Sequence, residues 1–121
     1  MILFGLNLTP LFYALAEVES NRGITSENVY QIRDIYIDDL NRIYTYHYSY
    51  NCKFDKHASE RMMYDYWNFY GRKYNKQTGN KITYEVLARI HNGGPNGWAK
   101  ISTMSYWMRV KRELIKQGVK L

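Results

Sequence analysis

Cys52 is the only cysteine in the chain, so no intramolecular disulfide can staple the fold. A chain of 121 residues without such a staple must be held by one packed apolar core. Hydrophobic residues make up 45% of the sequence, which is enough for one core. A second domain of ordinary size has no room, so residues 1–121 are read as one domain. The lone thiol also fits a protein made in a reducing compartment.

Apolar residues recur mostly at helical spacing, so the expected architecture is mainly α, with about five helices. Thr9-Pro10 starts the first helix, because Thr can cap and Pro is tolerated at the first helical position. Leu11, Phe12, Leu15, Ala16 and Val18 give it a broad apolar face. It runs from Pro10 to Ser20 and stops at Asn21-Arg22-Gly23, with Gly23 suited to a left-handed exit. Residues 1–16 are apolar but lack a basic leader and are interrupted by Asn7, Thr9 and Pro10. They are too short to span a bilayer, so a buried first helix is expected rather than a signal or an anchor.

From Gly23 to Gln31 the pattern is polar and predicts a loop or short ribbon. A second helix is expected from Arg33 to Tyr44, with Tyr36, Ile37, Leu40 and Tyr44 on one side. Tyr46, Tyr48 and Tyr50 alternate with polar residues, which fits either a strand or a loop anchored by aromatics. A third helix is expected from His57 to Tyr70, where Met62, Met63, Tyr66, Trp67 and Tyr70 form a core-facing stripe. Gly71 is read as its terminator and Arg72 to Lys81 as a basic loop. Thr83 caps a fourth helix with Val86, Leu87 and Ile90 inward, ended by Asn92-Gly93-Gly94-Pro95. The last helix starts near Thr103, turns Tyr106, Trp107, Val110 and Leu114 inward, and closes at Gly118.

Two features carry candidate chemistry. Glu19 lies in the last turn of the first helix, near the negative end of its macrodipole, which disfavours a charged carboxylate. Apolar neighbours would add desolvation in the same direction, the condition a proton donor needs. The plain alternative is a solvated helix-end Glu. Glu17, two positions away, lies on another face and cannot share the site. The second feature is the run Arg89-Ile90-His91-Asn92-Gly93-Gly94-Pro95-Asn96-Gly97-Trp98. Its glycines let backbone approach a ligand, and Asn can bond sugar hydroxyls; a helix cap followed by a turn explains the same residues structurally. His47, Cys52 and His57 lack the paired spacing of a metal site, so neither a metal nor a cofactor is expected.

Ala16-Glu17-Val18-Glu19-Ser20 resembles the segment around the catalytic Glu of the lysozyme-like superfamily, including lytic transglycosylase domains. Tyr30-Gln31-Ile32, with Tyr36 and Asp39, resembles the aromatic-Gln-Ile segment that follows there. Residues 88–97, ARIHNGGPNG, and Thr103, Tyr106-Trp107 and Val110 are similar to later parts of invertebrate-type lysozymes. The specific signal is the order of the four segments. The resemblance implies an α+β lysozyme-like fold with an irregular or ribbon segment by the cleft. It also implies cleavage of the peptidoglycan glycan strand between N-acetylmuramic acid and N-acetylglucosamine. Glu19 would be the general acid, and Tyr30, Gln31, His91, Asn92 and Gly93 would bind substrate.

The departures are as informative. The family is rich in disulfides, and its catalytic Glu is followed by a longer stretch holding an Asp. Here Gly23 to Val29 is short, and Glu27 is its only acid, which makes Glu27 the candidate second carboxylate. Size, charge and lack of disulfides predict a phage-type endolysin, a monomer held in host cytoplasm before release or carried on the virion. The formal net charge of +6 favours an anionic partner without naming it. Peptidoglycan is expected, with no nucleic acid and no membrane span. The rivals are a transglycosylase using Glu19 alone, a glycan binder without catalysis, and a basic nucleic-acid module stacking bases along Tyr66 to Tyr74.

Overall fold

The computed structural model describes residues 1–45 and 47–121. Five α-helices and a two-stranded antiparallel sheet form the fold, a mainly helical α+β arrangement. The sheet comes first: β1 (Ile2–Leu3) pairs with β2 (Leu6–Asn7) around a tight turn. Phe4 and Gly5 at the turn have φ of 53° and 76°, the left-handed pair a two-residue hairpin demands. The apolar N-terminus is thus a hairpin and then a helix, with Leu3 and Leu8 tucked into the core.

Helix α1 (Thr9–Ser20) starts with Pro10 in its first turn, as the sequence predicts, but Thr9 is its first helical residue rather than its cap, and Leu8 before it makes no side-chain cap bond. Asn21, Arg22 and Gly23 all adopt positive φ, and the Asn21 and Arg22 amides bond back to Glu17 and Ala16 carbonyls. Asn21 therefore makes the left-handed exit expected of Gly23. Helix α2 (Asp34–Ile43) buries Tyr36, Ile37 and Leu40. The segment after it is anchored by aromatics. The Asn41 side chain brackets the Tyr48 backbone with bonds of 2.7 and 2.8 Å, and a 3-10 turn follows at Tyr50–Phe54. No strand forms there among the described residues, and Tyr46 of the alternating run lies outside them.

Helix α3 (Lys56–Thr78) overturns two expectations. Gly71 does not stop it, and the basic stretch after Tyr70 is two further helical turns, capped at Gly79 with φ of 72°. Tyr74 continues the stripe four residues beyond Tyr70 and is buried, a signal present in the sequence. Gly71 is there for packing: a Cβ on it would sit 2.8 Å from the Phe4 ring. Ala is the better helix former by about 1 kcal/mol, but overpacking costs about 1–3 kcal/mol. Gly71→Ala is therefore expected to lower the melting temperature by roughly 4 °C. In a Phe4→Ala background, where the clash is gone, the same change should raise it. Paired thermal melts check the change of sign.

Helices α4 (Tyr84–Gly93) and α5 (Met104–Lys116) complete the core. Thr83 caps α4, its side chain accepting from the Val86 amide, as predicted. Helix α5 packs on α1 and α4, and α3 packs on α2 and α4. Trp67 sits fully buried at the centre, stacked on Phe12 at 5.6 Å, with its indole N–H donating to the Leu87 carbonyl at 2.8 Å. The last turns of α1 and α4 lie side by side at one end of this core, facing an open groove.

Candidate active site

The groove has a volume of about 990 Å³. Glu19 enters it from the end of α1 with its side chain 17% exposed. The residue after it, Ser20, fastens the following loop: its hydroxyl donates to the Val29 carbonyl at 2.6 Å and accepts from the Gly23 amide at 2.9 Å. Asn28 closes the next turn with bonds to both the amide and the carbonyl of Ile32. Gln31, at φ of 53°, is carried to the groove edge. Local polar bonds shape this rim, so the irregular segment beside Glu19 needs no strand.

His91, in the last turn of α4, lies beneath the Glu19 carboxyl. Its Nε2 is 2.9 Å from the Tyr30 carbonyl oxygen and 3.4 Å from Glu19 Oε2. The Tyr30 carbonyl can only accept, so Nε2 carries the hydrogen and donates to it. The imidazole edge thereby packs beside one side of the Glu19 carboxyl. Tyr36 meets this ring edge-on at 5.8 Å. His91 Nδ1 and the Tyr36 and Tyr106 hydroxyls are buried with no hydrogen-bond partner among the described residues. Burial, with the Glu19 charge adding to it, holds the Tyr106 phenol well above the usual tyrosine range. Burial does the same to Tyr36, so both stay neutral hydroxyls.

The opposite wall comes from α2 and α3. Tyr36 stacks on Tyr66 at 3.8 Å, and Tyr66 meets Tyr70 edge-on at 4.7 Å. The Tyr70 hydroxyl donates to Asp39, which also pairs with Arg42. Asp38 accepts from the Tyr50 hydroxyl at 2.5 Å. Three acids (Glu19, Asp38 and Asp39) face three arginines (33, 42 and 109) around the groove, so its charge is balanced although the chain is basic. Such a lining suits a largely uncharged, hydroxyl-rich ligand with an occasional carboxylate.

Asn92, Gly93, Gly94 and Pro95 form the third edge. Arg89 secures this turn, reaching the Thr103 hydroxyl at 2.8 Å, the Lys100 carbonyl at 2.9 Å and Glu85 at 2.8 Å. The glycines here are shaped by the protein itself. A Cβ on Gly93 would meet the Thr103 methyl at 2.5 Å, and one on Gly97 would meet the Arg89 carbonyl oxygen at 2.0 Å. Gly94, at φ of 85°, turns the chain in open space.

Of the residues singled out from sequence, Glu19, Gln31, His91, Asn92 and Gly93 therefore share one groove. Two others do not. Tyr30 is 0% exposed and donates its hydroxyl to Glu60 at 2.5 Å, on the far side of the loop from the groove. Its role as a sugar contact is corrected: its ring is core and its carbonyl positions His91. Glu27 is exposed on the loop and outside the groove lining, so its carboxyl does not lie across from Glu19 as expected. The sequence reading missed the pairing of Asp39 with Tyr70 and Arg42. The signal was present, since Asp39 and Arg42 are three apart on one helix, but Tyr70 lies about 30 residues away.

Comparison with known proteins gives short matches. No protein-family model matches the sequence, and no solved structure matches it significantly. The chain is similar to the lysozyme of Ostrea edulis, 43% identical over 44 residues that make up 36% of this chain and 32% of that protein. It is also similar to the lysozyme of Meretrix lusoria, 44% identical over 43 residues, or 36% of this chain and 35% of that one. Lysozyme 1 of Crassostrea virginica is 41% identical over 44 residues, 36% of this chain and 24% of its own length. The matches thus cover about a third or less of the length of these relatives. All three are lysozymes of bivalve molluscs. They overturn the expectation of a phage-type enzyme held in host cytoplasm or on a virion, which rested on size and the absence of disulfides.

Proposed function

We propose that the chain is a lysozyme-type glycosidase that cleaves the glycan strand of bacterial peptidoglycan, with Glu19 as general acid. The observation that carries this reading is the placement of Glu19. It is a part-buried carboxyl at a helix end, 3.4 Å from His91 Nε2, opening on a groove of balanced charge with a tyrosine wall. The similarity to bivalve lysozymes supports the same reading. In the reaction, Glu19 gives its proton to the glycosidic oxygen between N-acetylmuramic acid and N-acetylglucosamine as the C–O bond breaks. The Asn92 side chain and the backbone at Gly93 hold the sugar ring, and His91 packs beside the carboxyl.

The second step needs either a water or the sugar's own hydroxyl. Glu27 faces solvent, so the second carboxylate of a hydrolase would be Asp39 or Asp38, which share the groove with Glu19. The same exposure of Glu27 favours a second reading, in which Glu19 acts alone and the 6-hydroxyl of the sugar closes an anhydro ring. Glu27→Gln is expected to keep at least half of the lytic rate, and a tenfold loss would return Glu27 to the site. Mass analysis of fragments from purified peptidoglycan tests the reaction itself. Reducing-end fragments support hydrolysis, 1,6-anhydro ends support the second reading, and intact glycan strands overturn both.

A further inference from the structure

Helix α5 has a second face that the core does not use. Tyr106, Trp107, Val110 and Leu114 point inward and are buried. On the outer side, Met104, Met108 and Ile115 are 50%, 53% and 56% exposed, and Ile101 in the preceding turn is 86% exposed. At about 100° per residue, the three helical positions fall within about 40° of one another, so they form one continuous stripe rather than scattered apolar residues. Cations border the stripe: Lys111 on one edge, Arg112 and Lys116 on the other. The only acid on the helix, Glu113, is already paired with Lys116 at 3.2 Å. Residues 100–121 hold six of the 17 Lys and Arg but only one of the 11 acids. Of these six only Arg109 lines the groove; the other five lie outside it.

We propose that this outer face of α5 docks on an anionic lipid surface. A charged wall polymer would engage the cations but leave the methionines and isoleucines in water. An uncharged apolar partner would do the reverse. A membrane interface accepts both together: apolar side chains enter the boundary between headgroups and acyl chains, while Lys and Arg stems reach back to the phosphates. Methionine, being flexible and polarizable, adapts to a disordered acyl layer. No helix among the described residues is long and apolar enough to cross a membrane, so the contact lies along the surface. The inference is independent of the glycosidase reading, because the stripe contributes nothing to the groove.

The test is co-sedimentation of the protein with vesicles of phosphatidylglycerol and phosphatidylcholine in equal parts, beside vesicles of phosphatidylcholine alone. Binding is expected on the anionic vesicles and at least tenfold weaker on the neutral ones. The triple change Met104→Ser, Met108→Ser and Ile115→Ser should weaken binding to anionic vesicles at least tenfold while leaving the melting temperature and lytic rate unchanged. If that protein folds poorly, Met108→Asp, a repelling charge mid-stripe, carries the same expectation. Lys111→Gln with Arg112→Gln should also reduce binding. Equal binding by the serine variant overturns the proposal, since the cations alone would then suffice. Equal binding to neutral vesicles also overturns it, as does a dimer in solution that the serine changes dissolve, which would assign the stripe to a second copy.

Discussion

Glu19→Gln is expected to fold like the parent protein and to lose lytic activity by about 10²–10⁴-fold, the usual share of a general acid. The amide cannot give up a proton to a leaving oxygen, yet it has nearly the same shape, and the His91 bond to the Tyr30 carbonyl is untouched, so the geometry around the imidazole survives. A melting temperature within a degree or two of the parent's, measured with the turbidity loss of peptidoglycan suspensions, separates lost chemistry from lost fold. Glu17→Gln is the control. Glu17 pairs with Arg22 at 2.8 Å on the half-exposed outer face, a contact of about 0–1 kcal/mol, and lies outside the groove. Its activity should match the parent's. Near-normal lysis by Glu19→Gln would remove Glu19 from the reaction.

The second large effect is expected at Gly97. An alanine Cβ there would lie 2.0 Å from the Arg89 carbonyl oxygen and 2.8 Å from its carbonyl carbon. These are backbone atoms of α4, and a helix cannot yield locally as a flexible side chain can. The turn must move away, straining the Thr103 hydroxyl's bond to the Gly97 carbonyl, 2.8 Å in the native fold. A cost of about 3 kcal/mol, at the upper end for overpacking, lowers the melting temperature by roughly 10 °C. Activity should fall as well, because the displaced turn carries Gly94 and Pro95 at the groove edge. Gly94→Ala provides the contrast. Nothing lies within 4 Å of its Cβ, and only the backbone resists the change: φ of 85° with ψ of −165° is a conformation essentially confined to glycine, costing alanine about 1–3 kcal/mol. Calorimetry on the two proteins should rank Gly97 above Gly94; the reverse order would contradict the packing described for the turn.

Gly71 and Gly97 show why glycines were misread from the sequence. A glycine signals backbone freedom, and helix stops and ligand-approach turns are its common uses. Gly71 and Gly97 instead admit a neighbour, the Phe4 ring and the Arg89 carbonyl, that only the folded chain brings near. Gly94 and Gly118, both at positive φ with open space around them, end their helices as the sequence predicts, while Gly79 caps a helix where a loop was expected.

The sequence by itself determined whatever depends on spacing along the chain. Apolar periodicity located all five helices, though not the end of α3, and the helix end placed Glu19 where a part-buried carboxyl can sit. The run from His91 to Pro95 announced a turn, and that turn forms an edge of the groove. The tertiary structure alone decided which residues share the site, because that depends on contacts across tens of residues. It turned Tyr30 inward to Glu60, left Glu27 in solvent, and brought Asp39 under the Tyr70 hydroxyl. Side-chain type gives a residue's chemical capacity. Its surroundings, set when α1, α2, α3 and α4 pack together, decide whether that capacity meets a substrate, the core or water.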